Sequence, residues 1–293
     1  MCLKKQEDPK ENMKQRKVSR VVTGRPGRDG AGVNLTRVLS TPTLADFDPF
    51  LMLDSFDSRN PADYINGFPM HPHRGIETIT YLVEGQIDHE DSLGNKGVIS
   101  DGSSQWMTAG SGIMHQEMPK TQPRMLGFQL WLNLPAKHKM TEPKYFDIQP
   151  EHIPTVVEDG RVVRIISGEY AGIKGVKPHH IQATLMDISL GAGRSIDIPV
   201  AVDETVFLFL MEGGASVDAQ HYAEKSALLM SDGDTVSVTA PEEANCRFQL
   251  VAGAPLHEPV AWGGPIVMNT EAELEEAFRD LRYGRFIRHN PLV

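Results

Sequence analysis

Between Ile76 and Trp131 the chain repeats one pattern, an apolar run of a few residues followed by a turn. The runs are Ile76–Val83, Ile87–His89, Val98–Ser100, Trp106–Thr108, Gly112–Met114 and Leu126–Leu132. The breaks are Glu84-Gly85, Leu93-Gly94-Asn95, Asp101-Gly102 and Ala109-Gly110. Short strands at such close spacing, joined by glycine turns, predict an all-β sandwich or barrel. With 26 Gly and 20 Pro in 293 residues, turn formers are frequent enough to favour many short elements over a few long helices. The stretch from Val18 to Asp54 also reads as strands and turns, ending in the apolar run Phe50–Leu53.

The second half has the same texture, in Val162–Ser167, Ile181–Leu190, Thr205–Leu210, Ala227–Met230, Thr235–Thr239 and Cys246–Ala252. Residues 135–159 carry Pro135, Pro143, Pro150 and Pro154 without sustained periodicity and read as a linker. The expected organisation is therefore a first β domain over residues 18–134 and a second over 160–293. Residues 1–17 are charged and poor in aliphatic side chains, which predicts a mobile tail whose local positive charge suits an acidic partner. One helix is expected near the C-terminus. Thr270 and Glu273 form a capping box, Leu274, Ala277, Phe278 and Leu281 make an apolar stripe, and Gly284 closes the end. That stripe should pack on a barrel wall.

Composition excludes several functions. A net charge of −10 repels phosphate, which argues against direct nucleic-acid binding by the surface as a whole. Cys2 and Cys246, the only two cysteines, make no disulfide framework, which fits a reducing cytoplasm. No stretch approaches the roughly 20 apolar residues a bilayer crossing needs, and the N-terminus has no secretory core, so neither a membrane nor export is expected. There is no phosphate-cradling P-loop and no nucleophile elbow.

The chemistry sits in two short stretches. His71 and His73 flank Pro72, and in an extended chain alternate side chains share a face. Pro72 stiffens the pair. His115 and Glu117 repeat the spacing on a second segment. Two such pairs facing each other give three nitrogens and one oxygen, a set suited to a divalent first-row metal: iron, manganese, cobalt, nickel, copper or zinc. Such a set leaves positions open for water, oxygen or substrate. Met107, Met114 and Met118 read as core filling, and Trp106 as packing beneath the histidine strands. In the second domain His179, His180, His221 and His257 show no ligand spacing, so that domain is expected to be metal-free.

The stretches from His71 to Thr78 (HPHRGIET) and from Trp106 to Pro119 (WMTAGSGIMHQEMP) resemble the two signature segments of the pirins, in the cupin superfamily. Leu44–Phe56 is similar to the pirin segment before the site, and Trp262–Thr270 with Tyr283–Phe286 to its C-terminal signature. The resemblance therefore covers nearly everything after residue 18. It implies a bicupin, two antiparallel jelly-roll-like β-barrels face to face with a short C-terminal helix, with one metal, usually iron(II), in the first. The ligands carry over onto His71, His73, His115 and Glu117, with Glu77 placed beside them rather than among them.

The family implies two functions. One is that of the bacterial, quercetinase-type pirins, a metal-dependent dioxygenase of the quercetin 2,3-dioxygenase type. It would take a flavonol-like aromatic substrate and O2, with Glu117 as the catalytic base for the substrate hydroxyl. The other is a non-catalytic, metal-binding redox or regulatory module that contacts a protein partner, as the nuclear pirins of animals act with transcription factors. A deep apolar pocket opening onto the metal site favours the enzyme. A closed site beneath a charged surface favours the module.

Overall fold

The computed structural model describes residues 14–289. Strand after strand is buried on both faces, which explains the continuous apolar runs. In Thr205–Glu212, Phe207, Phe209 and Met211 point one way into one core, and Val206, Leu208 and Leu210 point the other way into a second. In Met125–Asn133, Leu126, Phe128, Leu130 and Leu132 take the first face. Gln129 and Trp131 therefore fall on the opposite face.

Two seven-stranded antiparallel sheets result. The first runs, edge to edge, Lys144–Ile148, Ser104–Thr108, Ile76–Glu84, Met125–Asn133, Phe50–Ser58, Val33–Leu39, Arg25–Asp29. The second runs Val18–Thr23, Ser226–Met230, Thr205–Glu212, Cys246–Gly253, Thr184–Leu190, Arg161–Ser167, Thr155–Glu158. They pack face to face through one apolar seam, where Phe207 meets Phe47 and Phe50 edge-on at 5.4 and 5.3 Å and Phe128 meets Phe209 at 6.4 Å. A four-stranded sheet closes each outer face. On the first barrel it is Phe68–His73, Ile113–Pro119, Ile87–Asp91 and Lys96–Ile99, in that order. The architecture is the all-β bicupin that the resemblance implies.

The boundaries differ from the expected ones. Val18–Thr23, assigned by sequence to the first barrel, pairs with Ser226–Met230 of the second. The supposed linker contributes Lys144–Ile148 to the first sheet and Thr155–Glu158 to the second. The C-terminal segment returns the other way. Val267 N–H donates to Arg74 O at 3.1 Å, and Arg74 reaches Asp280 and Phe286 O at 3.1 and 2.9 Å. The two barrels thus exchange their chain ends. The exchanged ends are set by partners some 200 residues away, which no local pattern encodes.

Most of the expected tail, residues 1–13, lies outside the described residues. Its last part is not free. Gln15 bridges Thr235, and the buried Arg16 donates to the carbonyls of Gly233, Glu204 and Ala201 at 2.9, 3.1 and 2.6 Å. A guanidinium with several donors can satisfy loop carbonyls that lack a strand partner. The helix forms over Glu271–Arg282 with both capping-box bonds in place. Leu274 and Ala277 bury against Ala261, Ile266 and Met268, while Phe278 stays 38% exposed. Among the described residues no helix is long and apolar enough to cross a membrane.

The seam couples the barrels. Phe207→Ala should therefore lower the unfolding free energy by about 3–5 kcal/mol. Urea denaturation followed by circular dichroism should show one transition moving as a unit, not a second-barrel transition alone.

Candidate metal centre

The Ile113–Pro119 strand lies between two others and buries alternate residues, Ile113, His115, Glu117 and Pro119. On one side His115 is in register with His71 and Ile113 with His73. A bulge after His115 then sets Glu117 opposite Phe68. On the other side His115 faces Asp91 and Glu117 faces His89. Antiparallel pairing thus brings the two histidine segments together.

The three imidazoles form one cluster. Their rings lie 4.3 to 5.0 Å apart, and one nitrogen from each falls within 4.8 Å of the others. Nδ1 of His71 is 2.9 Å from Pro69 O, and Nδ1 of His73 is 3.0 Å from Pro265 O. A carbonyl only accepts, so both Nδ1 atoms carry protons and Nε2 is the nitrogen each ring has left to offer an ion. Those two Nε2 atoms stand 3.1 Å apart. Two lone pairs at that distance repel unless a cation lies against them. Both nitrogens of His115 are buried without a hydrogen-bond partner among the described residues. Burial, then the neighbouring His71, pushes His73 down to about 3. Burial and the surrounding imidazoles hold His115 well below its ordinary value. Both are neutral near pH 7, the state that donates to a metal. Orphaned nitrogens, neutral rings and fixed tautomers together fit a divalent first-row ion.

Glu117 is buried beside this cluster but is not among the three grouped donors. Its Oε1 accepts from Thr80 Oγ1 at 3.0 Å and its Oε2 from Gln129 Nε2 at 2.7 Å. Gln129 Oε1 in turn accepts from Trp131 Nε1 at 3.0 Å, and the Trp131 ring meets His73 edge-on at 4.9 Å. A carboxylate has about four acceptor positions, so two remain. Glu77 faces the other way, into the seam. It accepts from Trp106 Nε1 at 3.0 Å and Thr108 Oγ1 at 2.8 Å and touches no histidine of the cluster. Burial pushes its carboxyl up to about 7.

The C-terminal segment seats the site. Gly75 has φ +79, and a Cβ there would lie 1.9 Å from Val267 O. Only glycine lets the two backbones approach so closely. Buried Lys139 ties Gly75 O and Val267 O together at 2.8 Å each. Next to the cluster a cleft of about 610 Å³ is lined by His71, His73, Trp131, Trp262, Phe68 and Phe56, among others.

Two family models match, Pirin over residues 32–132 and the Pirin C-terminal cupin domain over 185–287. The chain belongs to the pirin family. It is 46% identical over 278 residues to a pirin-like protein of Caulobacter vibrioides, covering 94% of this chain and all of that one. It is 39% identical to human pirin over 272 residues, 91% of this chain and 92% of that one. A crystal structure of quercetin 2,3-dioxygenase from Acinetobacter baumannii superposes with a TM-score of 0.85 at 33% identity, covering 93% of this chain and 99% of that one.

Sequence reasoning about this pirin missed His89, whose ring lies 5.3 Å from His115 and stacks on Tyr145 at 4.4 Å. Its Nδ1 has no partner among the described residues, and its Nε2 is 3.3 Å from Asp91 Oδ2. The alternation of Ile87, His89 and Asp91 was the available signal. Gln129 was also legible, as a polar residue inside the apolar run Leu126–Leu132. Pro265 was not, because its contribution is a backbone carbonyl.

Two outcomes follow from these contacts. The native protein should retain a transition metal through gel filtration and His115→Ala should lose it, read by elemental analysis, with circular dichroism unchanged. Glu77 binds a proton in the folded state between about pH 4.5 and 7 that the unfolded chain releases. The contribution of Glu77 to stability is therefore largest at the acid end of that window and falls as pH rises through it, by on the order of 3 kcal/mol. His73 and His115, held below their ordinary value, act in the opposite sense as pH falls below about 6.5. The difference in unfolding free energy between the native protein and Glu77→Gln, measured in urea titrations across pH 5–8, should therefore shrink as pH rises.

Proposed function

We propose that this pirin is a metal-dependent oxygenase of the quercetin 2,3-dioxygenase type, acting on a flat, hydroxylated aromatic. The observation that carries the reading is the cleft of about 610 Å³ that opens onto His71 and His73. Its volume lies in the range that encloses a small-molecule ligand. A closed site, as the regulatory-module reading would have it, does not match that opening.

His71, His73 and His115 hold the ion, with Glu117 as the fourth donor through the acceptor positions that Thr80 and Gln129 leave. A divalent first-row ion held there, iron(II) by the family resemblance, supplies Lewis acidity toward the substrate oxygens and redox chemistry toward O2. The remaining work falls to the chain itself. Trp131, Trp262 and Phe68 offer aromatic surface to a planar ring system and keep water from it. The Nδ1–H bonds to Pro69 and Pro265 hold the imidazoles in one orientation while ligands exchange. Glu117 takes the proton from the substrate hydroxyl at a carboxylate oxygen. Thr80 and Gln129 fix that carboxylate by donating to it.

Metal-loaded protein should consume O2 and bleach the quercetin absorption band, and His115→Ala should do neither. Glu117→Gln should cut the turnover number by about 10²–10⁴, with metal content measured on the same sample to separate lost chemistry from lost metal. Fully loaded protein that neither consumes oxygen nor bleaches the flavonol would overturn the reading.

A further inference from the structure

The cleft wall carries charge that the proposed chemistry does not use. Arg37 and Asp54 are register partners on adjacent strands. Arg37 Nε donates to Asp54 Oδ1 at 2.9 Å and Nη2 to Oδ2 at 2.7 Å, a fork on a carboxylate. Nη2 also donates to Asp29 Oδ2 at 2.7 Å. Asp29 Oδ1 accepts from Gly30 N–H at 2.7 Å. The turn that carries Asp29 is itself pinned, since Ala31 N–H donates to Gly67 O at 3.0 Å and a Cβ on Gly30 would sit 2.6 Å from that carbonyl and from the Phe68 ring. The guanidinium is thus fixed along two edges. Its third nitrogen, Nη1, donates to no group among the described residues, and all three side chains line the cleft that holds His71 and His73.

The charges on this wall define what it recognises. One guanidinium between two carboxylates leaves an excess negative charge. An anionic substituent that reaches Nη1 also meets Asp29 and Asp54, and like charges repel. A hydroxyl meets no such conflict. It accepts from Nη1 and donates to a spare lone pair of either carboxylate. We propose that Arg37, Asp29 and Asp54 are the specificity determinants of the cleft, selecting an uncharged aromatic ligand with free hydroxyls over the same rings without them or with a carboxylate. This rests on the oxygenase reading, for which it names the substrate class. The hydroxyls concerned are those other than the ones that face the histidines.

The test is ligand binding without turnover. Metal-loaded full-length protein is titrated anaerobically with quercetin, with 3-hydroxyflavone, and with a 3-hydroxyflavone bearing a carboxylate, following tryptophan fluorescence. Quercetin should bind on the order of tenfold tighter than 3-hydroxyflavone, as hydrogen bonds to charged groups predict, and the carboxylate analogue should bind weakest. Arg37→Met should bring quercetin and 3-hydroxyflavone within about twofold of each other. That variant strands the buried Asp54, so Asp29→Asn, half-exposed at the rim, is the safeguard for folding, and it should narrow the deficit of the carboxylate analogue. Equal affinities for the three ligands in the native protein, preference for the carboxylate, or discrimination surviving in both folded variants would overturn the proposal and leave the oxygenase reading standing. Failure of all three ligands to bind would overturn both.

Discussion

The face-to-face packing of two sheets dictates the rest of this molecule. Because the seam takes every second residue of the central strands, the residues between them are forced into the barrel interior. Leu126, Phe128 and Leu130 go to the seam, and Gln129 and Trp131 are delivered to Glu117 and His73 by the same strand. Ile79 and Tyr81 go to the seam, and Thr80 reaches Glu117. The Phe50–Ser58 strand sends Leu53 to the seam and Met52, Asp54 and Phe56 to the cleft. A one-residue slip would reverse every one of these assignments.

That constraint also explains what was legible in the sequence. Paired spacing at His71/His73 and at His115/Glu117 survives because a strand has a period of two, and antiparallel register then brings His115 beside His71. The capping box at Thr270 is equally local and forms as read. What stayed hidden is non-local. Nothing near Glu117 announces that Thr80 and Gln129 will occupy its oxygens, and nothing near Arg16 announces three carbonyls from the far side of the second barrel. The family resemblance places Glu77 beside the ligands, yet strand parity turns it to the seam, where Trp106 and Thr108 hold it.

The histidine cluster shows how pre-organisation is built from backbone. Pro69 and Pro265 contribute carbonyls, not side chains, and each fixes which imidazole nitrogen carries the proton. Arg74 and Lys139 then hold the strand carrying His73 against the C-terminal ribbon, the first through Asp280 and Phe286 and the second through Gly75 and Val267. Rigid support of this kind is what keeps ligand atoms in place while other coordination positions exchange.

Proteins emerge from the ribosome N-terminus first. The histidine pair is made early, whereas Trp262 and Pro265, which wall the cleft and orient His73, follow some 190 residues later. Over that interval the nascent chain exposes an unroofed, unoriented pair of imidazoles. The geometry of the cluster is complete only once the ribbon that carries Trp262 and Pro265 has been made and has folded back onto the first barrel.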